Sequence, residues 1–368
     1  MTDAVHVFTD IDRAHMQRAL ALAAHGLYTT DPNPRVGCVL AHGSTVVGEG
    51  FHAKAGEPHA EVHALKMAGN RARGSTAYVT LEPCNHHGRT PPCSEALIGA
   101  GVAKVIYGLR DPNPRVDGAG ERRLHAAGIG VAGGLLSDES LQMNCGFVKR
   151  MTTGMPFVRL KLAMSLDGRT ALADGQSRWI TSEVARKDAQ RWRARSSAIL
   201  TGIGTVLIDD PALNVRLPEC QRQPWRVILD SDMRTPPQSR VVNREGAVLL
   251  FAAREHLARR SALEAQQVAV EVLPVIDGRP SLRAALQRLA ALEMNEVWVE
   301  AGQTLAGSLV RAGLVDELVL YVAPTFLGPD ARSLLQLPPL LDLDQRQRWR
   351  YTDIAAIGDD LRLTLRPL

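Results

Sequence analysis

The chain has 368 residues, 45% hydrophobic and 22% charged, a globular composition with length enough for two domains. Lys and Arg number 43 and Asp and Glu 39; the resulting +4 is too small over this length to argue for a nucleic-acid partner. No apolar run reaches the ~18 residues of a membrane span, and five scattered cysteines are not a disulfide framework.

The opening MTDAVHVFTDIDRAH has early acids and no apolar stretch, so no secretory signal and a reducing, cytoplasmic setting are expected. Residues 11–25 read as a helix stopped by Gly26. The prolines of Asp31-Pro32-Asn33-Pro34 enforce a turn. Residues 36–40 and 45–50 read as a hairpin, 59–69 as a helix, 76–81 as a strand running into Glu82-Pro83-Cys84, 94–100 as a helix and 102–108 as a strand. This alternation describes a three-layer α/β domain. DPNPRVG at 31–37 recurs as DPNPRVDG at 111–118, either two similar turns or two equivalent loops aimed at one pocket.

Residues 146–156 lack periodicity and hold two glycines and a proline, so the domain boundary is expected there. The pattern then restarts. Strands are expected at 156–164, 198–202, 226–230, 247–252, 269–273, 296–300 and 317–324, with a helix at 183–195. The stretch 338–350 carries no pattern.

His59, Cys84 and Cys93 form the strongest constellation in the first half. One imidazole and two thiolates leave a fourth zinc position open for water, the arrangement of a catalytic site. Zinc brings the pKa of that water towards ~7. Glu61, two residues past His59, is placed to relay its proton to a leaving amine. The H-x-E and P-C pair match the zinc-deaminase signature, but eight residues rather than two separate the cysteines. His86 and His87 in that insert are rival ligands or loop residues, with substrate contact favoured for His86; Arg89 suits a phosphate. Cys38, Cys145 and Cys220 read as ordinary thiols.

HAEVHAL with EPCNHHGRTPPC resembles the deaminase half of the bifunctional riboflavin-biosynthesis deaminase/reductases, in which the long insert between the cysteines is itself characteristic. The resemblance implies zinc on His59, Cys84 and Cys93, and Glu61 as proton shuttle. It implies substrate contacts from Asn33, His86, Arg89, Asp111 and Asn113.

In the second half, TGIGTV lacks the third glycine of a dinucleotide fingerprint, so a Rossmann fold is weakly supported. EAGQTLAG reads as strand, glycine loop and helix start, a phosphate cradle or an ordinary capped helix. With KLAMSLDGRTA, SRWIT and TGIGTVLIDDPALNVR, it resembles the reductase half of the same family. The implied NADPH contacts are Ala163, Trp179, Thr205, Asp209 and the loop Gly302, Gln303, Thr304, Leu305, Ala306, Gly307 and Ser308. The implied substrate contacts are Ser177, Arg193, Leu213 and Arg216. Lys161 and Glu300 are candidates for moving protons, with either one as the acid.

The expected architecture is therefore α/β throughout, an N-terminal three-layer cytidine-deaminase-like domain (1–146), a linker (147–155) and a C-terminal dihydrofolate-reductase-like domain (156–368). Zn2+, NADPH and a phosphorylated pyrimidine are the expected ligands of a homo-oligomeric enzyme. Two other readings are a deaminase of nucleic-acid bases, which the modest charge disfavours, and a zinc-stabilised binding protein, which Glu61 disfavours.

Overall fold

The computed structural model describes residues 7–85, 92–113, 118–220 and 222–368. The chain divides into two compact units, Met1–Gly154 and Met155–Leu368. Among the described residues no helix is long and apolar enough to cross a membrane.

The first unit runs α1 (Asp10–Ala24), β1 (Gly37–His42), β2 (Thr45–Phe51), α2 (Ala60–Ala68), β3 (Thr76–Leu81), α3 (Cys93–Ala100), β4 (Lys104–Leu109), α4 (Ala119–Ala126), β5 (Gly130–Gly133), α5 (Ser137–Met143) and α6 (Cys145–Thr153). The sheet order is β2-β1-β3-β4-β5, with β1 antiparallel to β2 and β3 and the rest parallel. Strand side chains alternate between faces. Cys38, Leu40, Val79 and Val105 meet Ala60 and Ala64 of α2 and Leu97 of α3 on one side. Val39, Ala41, Tyr78 and Ile106 meet Met16 and Ala19 of α1 on the other. Three layers result. Glycine decides how closely α2 lies on the sheet: a Cβ at Gly48 would stand 2.2 Å from the Ala64 carbonyl oxygen, and one at Gly50 2.5 Å from the His63 Cβ.

The segment expected as an irregular linker is instead helical. Residues 147–153 belong to α6, whose Phe147 is buried in the first core, and Gly154 ends the helix with φ +66°. The glycine read as a linker signal is a helix C-cap.

The second unit runs β6 (Phe157–Ser165), β7 (Arg169–Ala171), α7 (Glu183–Arg195), β8 (Ala198–Gly202), α8 (Ile203–Asp209), β9 (Trp225–Leu229), β10 (Val248–Ala252), α9 (Leu257–Glu264), β11 (Val268–Val272), β12 (Val275–Ile276), β13 (Arg279–Pro280), α10 (Leu282–Ala291), β14 (Glu296–Glu300), α11 (Gln303–Arg311), β15 (Glu317–Ala323), β16 (Arg332–Ser333), β17 (Trp349–Ile357) and β18 (Asp360–Pro367). Its main sheet has the order β11-β10-β9-β8-β14-β6-β15-β18-β17. The strands from β11 through β15 are mutually parallel, so their carboxyl ends share one edge, where ligands of open α/β sheets bind. Helices cover both faces: α10 and α11 pack on Leu160, Leu200 and Val299, and α7 packs on Ile199, Ile228 and Trp298. At the amino ends, buried Arg159 is paired with Glu296 and with Glu317 (2.7 Å), a closed structural network.

Candidate active sites

His59 is the N-cap of α2, Glu61 lies in its first turn, Cys84 follows β3, and Cys93 opens α3. The His59 Nδ1 lies 3.3 Å from the Cys93 Sγ and 3.6 Å from the Cys84 Sγ, and all three donor atoms fall within 4.8 Å of one another. Tetrahedral zinc with bonds of ~2.0 Å to nitrogen and ~2.3 Å to sulfur places such donors roughly 3.5–3.8 Å apart, so the set fits that ion. The hydrogen bond from the Cys93 thiol pulls Cys84 down to about 4, aided by His59 against burial; Cys93 is correspondingly pushed far up. A thiolate at Cys84 is the form that binds metal. Glu61 is 3% exposed, and its burial, then the Cys84 charge, raise its carboxyl above the usual range.

Described residues of both repeats lie near this centre. The Asn33 amide lies 3.1 Å from Nε2 of the buried His52, whose Nδ1 is 3.2 Å from the Pro58 carbonyl oxygen. The carbonyl fixes the tautomer: Nδ1 carries the hydrogen and Nε2 accepts from Asn33. His52 also stands edge-on to His59 with ring centres 5.2 Å apart. Asp111 is buried, and that burial, with the Glu82 and Cys84 charges, pushes it up to about 6. Its Oδ1 accepts from the Asn113 N–H at 2.8 Å. The buried Glu82 carboxylate in turn accepts backbone N–H groups of Asp111, Gly118 and Glu121 at 3.2–3.3 Å. His52 stands in no motif, and Glu82, though it opens the EPC run, acts through backbone groups 29 to 39 positions away. The expected contacts His86 and Arg89 lie outside the described residues.

A cavity of about 1810 Å³ opens at the carboxyl-end edge of the second unit's sheet. Its wall includes Lys161, Ala163, Ser177, Trp179, Arg193, Thr205, Asp209, Leu213, Arg216 and Glu300. Gly302, Gln303, Thr304, Leu305 and Ser308 line it where α11 begins. Ala306 and Gly307, expected among the contacts, do not line it. Ala306 is fully buried in the core, and a Cβ at Gly307 would stand 2.2 Å from the Gln336 carbonyl oxygen. These residues occupy the inward face of α11, because a helix turns adjacent residues of the motif to different sides.

Arg193 grips Glu300 bidentately, Nε to Oε1 at 2.6 Å and Nη2 to Oε2 at 2.8 Å, and donates from Nη1 to the Asn214 carbonyl at 3.0 Å. The indole N–H of fully buried Trp298 donates to Glu300 Oε1 at 2.8 Å, and its ring stacks on Trp192 at 5.7 Å. Burial works to raise the Glu300 carboxyl, but Arg193, Lys161 and Trp298 prevail and hold it at about 2. Lys161 also lies below its ordinary value: burial lowers it, Glu300 raises it and Arg193 lowers it, with a net decrease. The cavity wall carries twelve Lys and Arg side chains against four Asp and Glu, so it is built for more than one anionic group.

Residues 9–109 match the cytidine and deoxycytidylate deaminase zinc-binding region, and 156–363 match the RibD C-terminal domain. The chain is 50% identical to the riboflavin biosynthesis protein RibD of Escherichia coli (strain K12), over 96% of this chain and 99% of that one. It superposes on Acinetobacter baumannii RibD with a TM-score of 0.90 and 45% identity, covering 97% and 99% of the two chains. A third relative is the Thermotoga maritima diaminohydroxyphosphoribosylaminopyrimidine deaminase/5-amino-6-(5-phosphoribosylamino)uracil reductase, with a TM-score of 0.85, 31% identity and the same coverage. The first unit is thus a cytidine-deaminase-like zinc domain and the second a dihydrofolate-reductase-like domain. With both family models matched and relatives aligned over nearly its whole length, the chain belongs to the RibD family, bifunctional zinc-dependent deaminases and NADPH-dependent reductases of riboflavin biosynthesis.

Proposed function

We propose that the first site deaminates 2,5-diamino-6-(5-phosphoribosylamino)pyrimidin-4-one and that the second reduces the resulting phosphoribosylaminouracil to its ribityl form. The observation that carries this reading is the His59, Cys84 and Cys93 donor set with Glu61 buried beside it. His59, Cys84 and Cys93 would hold Zn2+, which would make a bound water acidic enough to attack at neutral pH. Glu61 takes a proton from the attacking water and delivers it to the leaving amine, which departs as ammonia. Asn33, held by His52, and Asp111 with Asn113, held by Glu82, orient the pyrimidine. The named relative's activity and the positions of both turns support this assignment.

NADPH bound in the second site would supply the hydride for ribose C1′. Reduction at C1′ opens the C1′–O4′ bond, so O4′ needs a proton. Glu300, held at about 2, is a carboxylate at neutral pH and has none to give. The Lys161 ammonium is the other group placed to give one, and burial, by lowering its pKa, favours that transfer. We therefore assign Lys161 as acid and Glu300 as the anion that orients it. Gly302, Gln303, Thr304, Leu305 and Ser308 at the start of α11 suit the pyrophosphate. Ala163, Trp179, Thr205 and Asp209 complete the cofactor wall, and Ser177, Leu213 and Arg216 the substrate wall. Strand spacing sets the carboxyl ends of β9 and β10 two and three strands from β14, roughly 10 and 14 Å away. Ser231, Arg234 and Arg254 line the cavity beyond those ends, which supports seating the adenosine there with arginines reading its 2′-phosphate.

β17 lies at the edge of the main sheet with Tyr351 and Ile354 exposed, which supports pairing with a second copy of the chain. The chemistry and the free thiols suit a cytoplasmic setting.

Ammonia release tests the substrate assignment. The purified protein should release it from the phosphorylated diaminopyrimidine and not from RNA or free cytidine. Release from RNA alone would overturn the assignment.

A further inference from the structure

The substrate's phosphate needs donors close to the Lys161–Glu300 pair but not already engaged. Arg193 is the nearest guanidinium, yet Glu300 and the Asn214 carbonyl take up its fork. Arg186 donates to the Thr181 carbonyl at 2.7 Å and lies over the Trp179 ring at 4.3 Å. Arg216, which feels the charges of Arg193 and Glu300, and Arg240, whose charge Arg216 also feels, are two further guanidiniums on this wall. Both are exposed on the wall of the same cavity. Among the described residues, neither has a carboxylate within ion-pair distance.

Their backbones are held firmly. The Arg216 N–H donates to Gln190 Oε1 at 3.0 Å, and the preceding Val215 N–H to Gln223 Oε1 at 2.8 Å. The Arg240 N–H donates to Asp210 Oδ1 at 2.7 Å. Asp210 follows α8 in the left-handed region, φ +40°, and begins the loop that carries Arg216. One aspartate thus ties together the two loops that carry the arginines. Burial and the charges of Arg193, Arg240 and Arg186 push the Arg216 guanidinium below its usual range, against the pull of Glu300. Cations gathered on one wall without matching acids are stabilised by an anion placed between them.

We propose that Arg240 joins Arg216 in clamping the 5′-phosphate of the reductase substrate, and that Arg240 sets the preference for the phosphorylated over the dephosphorylated form. The proposal rests on the reductase reading above. A phosphate dianion accepts from two forks at once, and a charge-assisted pair of this kind is worth roughly 10- to 100-fold in affinity.

The test compares reduction of the deaminated intermediate with that of its dephosphorylated nucleoside, in wild type and Arg240→Ala. Wild type should favour the phosphorylated form. Arg240→Ala should raise KM for that form by about 10- to 100-fold with kcat retained, leave kcat/KM for the nucleoside unchanged, and preserve NADPH affinity and thermal midpoint. Arg240→Lys should recover part of the preference. A general structural defect would lower both substrates together, and that result would overturn the clamp, as would an Arg240→Ala protein that discriminates like wild type. A wild-type protein that reduces neither form would overturn the reductase reading itself, and the clamp with it.

Discussion

Glu61→Gln should lower ammonia release by about 10³- to 10⁴-fold while zinc content stays at one ion per chain. Glu61 is not among the three clustered donor atoms, so the amide costs the protein no ligand. Gln has nearly the same shape and cannot carry a proton between water and amine. Burial amplifies the effect, because at 3% exposure bulk water has little access to substitute as a relay. Reduction of the pre-formed deaminated intermediate should continue in the same preparation. Metal analysis alongside the ammonia assay checks this, and deamination within tenfold of wild type would mean that another group moves the proton.

Lys161→Met should produce the complementary phenotype. Reduction should fall by about 10²- to 10⁴-fold, with deamination and NADPH binding retained. Methionine keeps most of the side-chain volume on β6 and removes the proton. The pH dependence gives a second readout. Wild-type reduction should decline on the alkaline side as Lys161 deprotonates, at a pH below the ordinary lysine value of 10.5, because burial and Arg193 outweigh Glu300 there. Glu300→Gln removes the one raising influence, so its alkaline limb should move to still lower pH. A limb that does not move in Glu300→Gln would show that another group limits the rate. Initial velocities of NADPH oxidation across pH, with binding followed by cofactor fluorescence, measure both.

The metal centre was legible in the sequence because its chemistry is local. His59 and Glu61 lie two residues apart at one helix start, and Pro83-Cys84 follows a short, almost wholly buried strand. The parallel strands were legible for a similar reason, as short apolar runs such as 198–202 and 296–300 bounded by glycine or charge. Other features depend on contacts that no local pattern records. Trp298 looks like a core residue from sequence, and only the fold shows its N–H on Glu300. The sequence motifs imply Arg193 as a substrate contact, and only the fold shows its fork closed on Glu300, 107 positions away. The 146–156 stretch looked irregular because α6 is short and ends in glycine, while Phe147 buries itself in the first core. The β17–β18 hairpin left little trace, since no residue of β17 is buried and the strand lacks the alternation that marks a half-buried one.

The most direct measurement is a coupled assay of the intact protein on the phosphorylated diaminopyrimidine, recording ammonia and NADPH oxidation together. Without NADPH, ammonia should be released and the phosphoribosylaminouracil should accumulate. With NADPH, one cofactor should be oxidised per ammonia released, after deamination and not before it, and the product should carry a ribityl chain. NADPH oxidation preceding ammonia release, or ammonia release with no NADPH oxidation at all, would contradict the assignment of two consecutive reactions to the two sites.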